Sequence, residues 1–352
     1  QCPLILGKYG TATITCKTAN GSATATCLVT VVDGEDHWIK ATTTEGIEIN
    51  YYVEDATDGT CRTSSVNRDA QGKVTIPEIV EGVHIWEPDM GVERLRVVGI
   101  GNESFSGCQK ISEIILPNSV TYIGNSAFSS CKSMTSIAIP RSVSTIGEYA
   151  FGWSGITSIT IPDSVTELGS GVCYKCESLV SASLPDGIST IGAMAFDGCH
   201  SLTDVIIPNS VTTIGLQAFQ NCSGLTSVTI PEGVTTIGAG AFDECYSLTM
   251  IQSNIVNPMP IDNNVFTFIK PKDDGSYTFF SPTLYVPIGC KAIYQSTDDW
   301  KRFSNIVEGT IDASVISVLA YDEYKTYSLF GLQLSAPKKG INIIGGRKVV
   351  IK

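Results

Sequence analysis

Along most of the chain, short alternating stretches of apolar and polar residues return at a nearly constant interval. In 225–230 the apolar Leu225, Val228 and Ile230 point to one side while Thr226, Ser227 and Thr229 point to the other. This is the pattern of a short strand rich in β-branched residues and buried on one face. Pro231 lacks an amide hydrogen and ends the pairing. Val234 and Ile237 form a second short buried stretch, and Gly238 permits the turn that follows. Ala241, Phe242 and Cys245 then supply an inward-facing helical turn, with Phe242 the largest core group.

The unit recurs. Pro117, Pro140, Pro162, Pro185, Pro208 and Pro231 are separated by 23, 22, 23, 23 and 23 residues. Gly101, Gly124, Gly147, Gly169, Gly192, Gly215 and Gly238 keep the same rhythm, and 201–219 (SLTDVIIPNSVTTIGLQAF) returns almost unchanged as 224–242 (GLTSVTIPEGVTTIGAGAF). A period in this range marks a solenoid, in which no single unit buries its apolar face and stacked copies share one core. The expected architecture is a β-rich α/β solenoid, a right-handed array of about seven rungs with short strands, short helical turns and β caps at both ends.

Cys108, Cys131, Cys176, Cys199, Cys222 and Cys245 fall at one phase of the repeat. Neighbouring rungs lie roughly 4.8 Å apart, a distance that does not exclude disulfides, but in-register side chains point in parallel and suit the disulfide dihedral poorly. The preferred reading is a structural ladder of buried thiols acting as small hydrophobes. Zinc needs converging ligands, and sulfurs strung along an axis do not converge, so no metal or cofactor is expected. Two rungs are irregular. One is a residue short near Trp153 and Ser154, and Trp153 is expected to fill the gap so left, with an exposed anchor as the alternative. In the next, Cys173 takes the phenylalanine position, and either Tyr174 or a neighbour compensates for the lost volume or a small cavity remains.

At the ends, 46–53 and 72–79 alternate like antiparallel strands and lead into the first rung. Downstream, 284–289 reads as a last strand, 290–303 as a helix or turns laid over the final rung, and 270–277 (KPKDDGSY) as a polar surface loop. In 10–32 two alternating strands flank Asn20-Gly21, a hairpin signal whose two-residue loop pairs Cys16 with Ala25 and so does not favour a Cys16–Cys27 disulfide. The expected division is 1–33, an N-terminal hairpin; 34–96, a β cap; 97–255, the repeats; 256–309, a last repeat and cap; and 310–352, a β tail.

Hydrophobic residues make up 43% and charged residues 16%, ample for a core. The formal charge of −12 argues against a nucleic-acid partner. No apolar run approaches the roughly 20 residues that span a bilayer, and 1–10 does not read as a signal peptide. Three scattered histidines (His37, His84, His200) and no recognisable catalytic motif point away from an enzyme. The acidic pairs Asp273-Asp274 and Asp298-Asp299 read as solvated loops rather than as glycosidase carboxylates. What remains is surface. Outward strand positions form hydroxyl-rich columns: Ser112, Thr135, Thr157, Val180, Thr203, Thr226 and Thr249, beside Glu113, Ser136, Ser158, Ser181, Asp204, Ser227 and Met250. They suit weak hydrogen bonding, and equally they are good strand chemistry. Tyr122, Tyr149 and Trp153 come nearest to an aromatic cluster and are the candidate ligand-binding residues.

The element IG-x-x-AF-x-x-C followed by L-x-x-V-x-IP, as in 214–222 and 225–231, resembles the BspA-like leucine-rich repeats of Bacteroidetes-type bacterial surface proteins, and does so over about 97–309. Departures are Ser104, the short rung at Trp153, and LGSGVCYKC at 168–176. The segment 10–32 resembles the last hairpin of a bacterial immunoglobulin-like module of group 2, and the tail, ending KG-I-x-I-x-x-GRKV-x-x-K, resembles short sorting elements of exported Bacteroidetes proteins. These resemblances imply an extracellular or outer-surface location. They imply adhesion to, or recognition of, a host matrix protein, another bacterium or a glycan. The alternatives are a passive scaffold or spacer and, further off, a polysaccharide-active enzyme.

Overall fold

The computed structural model describes residues 38–55, 58–84 and 92–310, and for 10–17, 24–31, 326–328, 333–334, 340–344 and 347–351 the backbone strands alone. The body is a stack of rungs joined by parallel, in-register ladders. Strands as short as Tyr122–Ile123, Thr145–Ile146 and Glu167–Leu168 form one ladder, continued by Thr190–Ile191, Thr213–Ile214 and Thr236–Ile237. Ser158–Thr160, Ser181–Ser183 and Asp204–Val205 form another, and Ser227–Ile230, Met250–Ser253 and Thr283–Val286 pair beyond it. The register advances by one repeat at each step (Ser158 opposite Ser181, Thr213 opposite Thr236), so equivalent residues stack in columns.

The third side of each rung takes the form of hydrogen-bonded turns rather than a helix. Ala218, Gln220 and Cys222 donate to the carbonyls of Gly215, Gln217 and Phe219, three residues back. Alternate amides leave the rung altogether: Phe196 and Gly198 donate to Ala218 and Gln220 of the next, both within 2.9 Å. Reaching outward in this way puts two positions per rung in the left-handed region, among them Ser126, Ser130, Tyr149, Trp153, Lys175, Gln217 and Asn221, with φ between 52° and 59°. The repeating glycines owe their place to something other than turn conformation. A Cβ on Gly215 would lie 2.7 Å from the amide nitrogen of Ala193 and 2.8 Å from the carbonyl carbon of Gly192, so glycine here admits the neighbouring backbone.

Inside, Phe105, Phe128 and Phe151 stack with centroids 5.6 Å apart, and Phe196, Phe219, Phe242 and Phe266 at 5.3–5.4 Å. Cys173 interrupts the column, fully buried. Each such ring contributes roughly 1.5–3 kcal/mol by leaving water. The cysteine ladder stands beside the rings, its described members all buried free thiols. Each thiol of Cys131, Cys176, Cys199, Cys222 and Cys245 donates to the carbonyl at the phenylalanine position of the previous complete turn, at 3.0–3.2 Å. The sulfurs therefore point at backbone oxygens and not at one another along the stack.

At the N-terminal end, Trp38–Thr42, Glu48–Asp55, Thr60–Val66, Val92–Ile100 and Ile79–His84 pair in a closed ring of five strands. The expected antiparallel cap is thus a small barrel, which removes the free edges a flat sheet would present; it takes in Glu48–Asp55 but not the second expected strand, because Gln71–Thr75 pairs parallel with Lys110–Ile115. Val92–Ile100 also pairs with Tyr122–Ile123, so one strand serves both barrel and solenoid. Ser104, a departure from the repeat pattern, is buried at this junction, its single hydroxyl hydrogen within reach of Gly101 O (2.8 Å) and Thr63 O (3.0 Å). At the other end, Thr283–Val286 is not the last strand: Asn305–Glu308 pairs beyond it. The helix Lys291–Ser296 and the turn Trp300–Arg302 lie between these two strands in sequence. Trp300 packs 5.8 Å from Phe266 and donates to Met259 O at 2.9 Å, and Tyr294 bonds to Ser253 and Ile255. The expected loop at 270–277 is a hairpin, Ile269–Pro271 with Tyr277–Phe279, exposed throughout. In Gly10–Lys17 and Thr24–Val31 the register is the expected one, Cys16 opposite Ala25. The immunoglobulin-like reading of 1–33, the Cys16–Cys27 disulfide and the sorting reading of the tail fall outside the described residues.

Candidate binding surface

Two kinds of surface were expected to carry contacts, the hydroxyl columns and the aromatics. The columns are exposed as anticipated, except that Ser227 and Met250 are half-buried. Their hydroxyls, however, turn back onto the stack: Thr157 donates to Thr135 O at 3.2 Å, Thr203 to Val180 O at 3.5 Å and Thr249 to Thr226 O at 3.3 Å. A second set does likewise, with Ser144 donating to Thr121, Thr212 to Ser189 and Thr235 to Thr212, each at 3.2 Å. A hydroxyl carries one hydrogen, so these donors are already engaged.

The aromatics divide. Tyr122 lies on the barrel side, its hydroxyl bonded to Glu54 and its ring against Gly99. Burial, with the hydrogen bond and charge of Glu54 behind it, holds its phenol well above the ordinary range. Tyr149 and Trp153 come together on the turn side of the solenoid, stacked at 6.0 Å with planes 22° apart. Tyr174 completes a trio, edge-on at 4.8 Å to Trp153 and 5.6 Å to Tyr149. The Lys175 ammonium stands 5.3 Å from the Tyr174 ring centre.

Local structure explains the trio. Trp153 occupies a left-handed position (φ 57°) that elsewhere holds Lys175, Asn221 and Glu244, all pointing away from the core, and it is 36% exposed. It does not fill a gap, because none is left. Gly155 closes the shortened rung by approaching the Lys132 carbonyl so nearly that a Cβ would stand 2.0 Å from that oxygen. Ser154 takes the ladder position, buried, 3.5 Å from the sulfur of Cys176. Tyr174 likewise leaves the space beside Cys173 and rises to the surface, half-buried. The Tyr149 ring lies over Gly171, where a Cβ would fall 2.4 Å from its Cε1, and its hydroxyl reaches the sulfur of Met194 at 3.9 Å. In the rung below, Lys175 N donates to Asp197 O at 2.6 Å, and burial pushes the Asp197 carboxyl up against the pull of Lys175. The result is a patch across two neighbouring rungs with aromatic edges and one cation, suited to apolar and ring contacts with a protein or sugar.

Sequence reasoning missed Tyr174 as a surface aromatic, having offered it, or a neighbour, only as a filler beside Cys173. Its proximity in sequence to the two irregular rungs was the available signal. It also missed the hairpin aromatics Tyr277 and Phe279, 65% and 79% exposed, within a segment that read as polar. The acidic pairs are engaged locally: Asp298 with Lys301 at 2.7 Å, Asp299 with Arg302 at 3.5 Å, and Asp274 accepting from Ser276. His200 sits at the surface, its Nδ1 3.1 Å from Asn221 O. Among the described residues no group of three or more His, Cys, Asp or Glu side chains is placed to hold a metal ion, and no helix is long and apolar enough to cross a membrane.

A family model described as BspA type leucine rich repeat region matches in six copies over 96–203 and 144–271, which together span half of the chain. No curated protein matches the sequence. Among solved structures, a leucine-rich repeat protein of Treponema pallidum is 25% identical, covering 57% of this chain and 87% of its own, with a TM-score of 0.47. One from Bacteroides ovatus is 23% identical, covering 74% and 75%, with a TM-score of 0.42. The pneumococcal vaccine antigen PcpA is 15% identical, covering 77% and 99%, with a TM-score of 0.29. The assignment rests on the repeat model and the rung structure, not on these superpositions.

Proposed function

Because the chain belongs to the BspA-type leucine-rich-repeat family, we propose that it is a non-enzymatic binding protein of the cell surface or extracellular space. It holds a protein or glycan partner on the turn side of the repeats, at Tyr149, Trp153 and Tyr174. The observation that carries this reading is the trio itself. Large aromatic side chains stand at the surface of a solenoid whose own packing does not require them there, and tryptophan and tyrosine are enriched where a few residues supply most of a binding energy. A passive spacer is the second reading, and the columns favour it where Thr157, Thr203 and Thr249 spend their hydrogens on the neighbouring rung.

Surface plasmon resonance of the purified chain over matrix glycoproteins and a glycan panel, across a salt series, tests the proposal. Saturable binding that persists at high salt is expected, because aromatic contacts are not screened. Absence of saturable binding to every surface would favour the spacer.

A further inference from the structure

Cys173-Tyr174-Lys175-Cys176 is unlike the other rungs. Where those place a ring at the phenylalanine position, this one places a second sulfur in the same turn as the ladder cysteine. Cys176 N donates to Cys173 O at 3.1 Å, closing a four-residue turn. Such a turn holds its first and last Cα atoms less than about 7 Å apart, and disulfides bridge Cα atoms about 4.4–6.8 Å apart. Both side chains enter the same interior space, each with no exposed surface. The Cys176 thiol, like the other ladder thiols, is aimed at a carbonyl of the neighbouring rung (Phe151 O, 3.0 Å), but only this rung places a second sulfur in the same turn, three residues before the ladder cysteine. From this we infer that Cys173 and Cys176 are a disulfide-forming pair, converted to an intraturn disulfide when the chain is exposed to a small-molecule disulfide.

The chemistry balances as thiol–disulfide exchange. One thiolate attacks a sulfur of the small disulfide and expels one equivalent of its thiol. The second cysteine, losing its proton, attacks the mixed disulfide and expels the other. Two protein thiols are oxidised and one disulfide is reduced to two thiols. Cys176 is the better nucleophile. Burial opposes its ionisation, but hydrogen bonds from Cys173 and Ser154 and the charge of Lys132 bring it below the usual thiol range, whereas the bond to Cys176 and burial hold Cys173 well above. Both sulfurs are reached only when the rung opens, so the bond forms during folding or after a local opening. It closes the loop that carries Tyr174 and Lys175, and this holds whether or not the aromatic patch binds a partner.

The test is a disulfide map of the full chain, unfolded and refolded in buffer containing reduced and oxidised glutathione, then denatured in N-ethylmaleimide, digested and weighed. In oxidising mixtures the peptide holding both cysteines is expected two hydrogens lighter and unalkylated, reverting to two labels after dithiothreitol. Cys173→Phe, which restores the ring of the other rungs, is expected to fold and to label fully at Cys176. Two labels on the wild-type peptide at every glutathione ratio, or a cross-link from Cys176 to Cys199, would overturn the inference.

Discussion

At Phe219 the logic of the stack is concentrated in one side chain. The ring is fully buried and lies parallel to Phe196 on one side and Phe242 on the other, at 5.4 and 5.3 Å. Removing it opens a cavity that two neighbouring rings border, and their backbones are held by ladders that resist collapse. Phe219→Ala is therefore expected to cost about 3–5 kcal/mol, read as a shift of the urea midpoint at unchanged slope. The phase of this column was legible from sequence, because a phenylalanine recurring with a proline and a glycine has no other use. The role of the glycines was only half legible. Composition showed where they stood, but their reason is contact between neighbouring backbones, a property of stacked rungs that no single repeat displays.

At the scale of the element, the thiol ladder makes a prediction about pH. Burial pushes Cys108 up to about 11 and Cys131 up to about 12, in each case above the ordinary thiol value. In the unfolded chain these groups lose their protons near pH 9, while in the folded chain they keep them, so the folded state holds more protons in between. Stability is then fully present below about pH 9 and falls as pH rises towards 11–12. Urea midpoints at pH 7, 9 and 10.5 are expected to be level between the first two and lower at the third, with the alkaline loss reduced in Cys131→Ala. The elements themselves were unequally legible. Alternation showed the rung strands, whereas Trp38–Thr42 and Ile79–His84, which close the barrel, carry no comparable period. Their pairing depends on Gly82, where a Cβ would meet the Lys40 carbonyl at 2.8 Å, and that contact is between segments distant in sequence. Tyr174 escaped for a similar reason: its ring packs on Tyr149 and Trp153 of the neighbouring rung, a contact that its own turn does not display.

For the whole molecule, a stack of this kind is only as sound as its ends. The barrel covers one, and Trp300, Tyr294 and Phe303 cover the other, with Trp300 fully buried against Phe266. Trp300→Ala is expected to lower stability by about 3–5 kcal/mol and to leave apolar rungs accessible. Sedimentation velocity should then show concentration-dependent association absent from the wild type. A monomeric variant of unchanged stability would mean that the last rungs need no cover. The solenoid's sides divide the labour differently, with column hydroxyls such as those of Thr157, Thr203 and Thr249 turned onto the neighbouring rung and an aromatic patch left at the surface. The central claim is that the patch, and not the columns, meets the partner. It is tested most directly by measuring, on the surface that binds the wild-type chain best, the affinities of Trp153→Ala and Thr203→Ala side by side. A loss of roughly tenfold or more for Trp153→Ala with Thr203→Ala unchanged is expected. Equal affinity of Trp153→Ala and wild type, or a loss confined to Thr203→Ala, would contradict it.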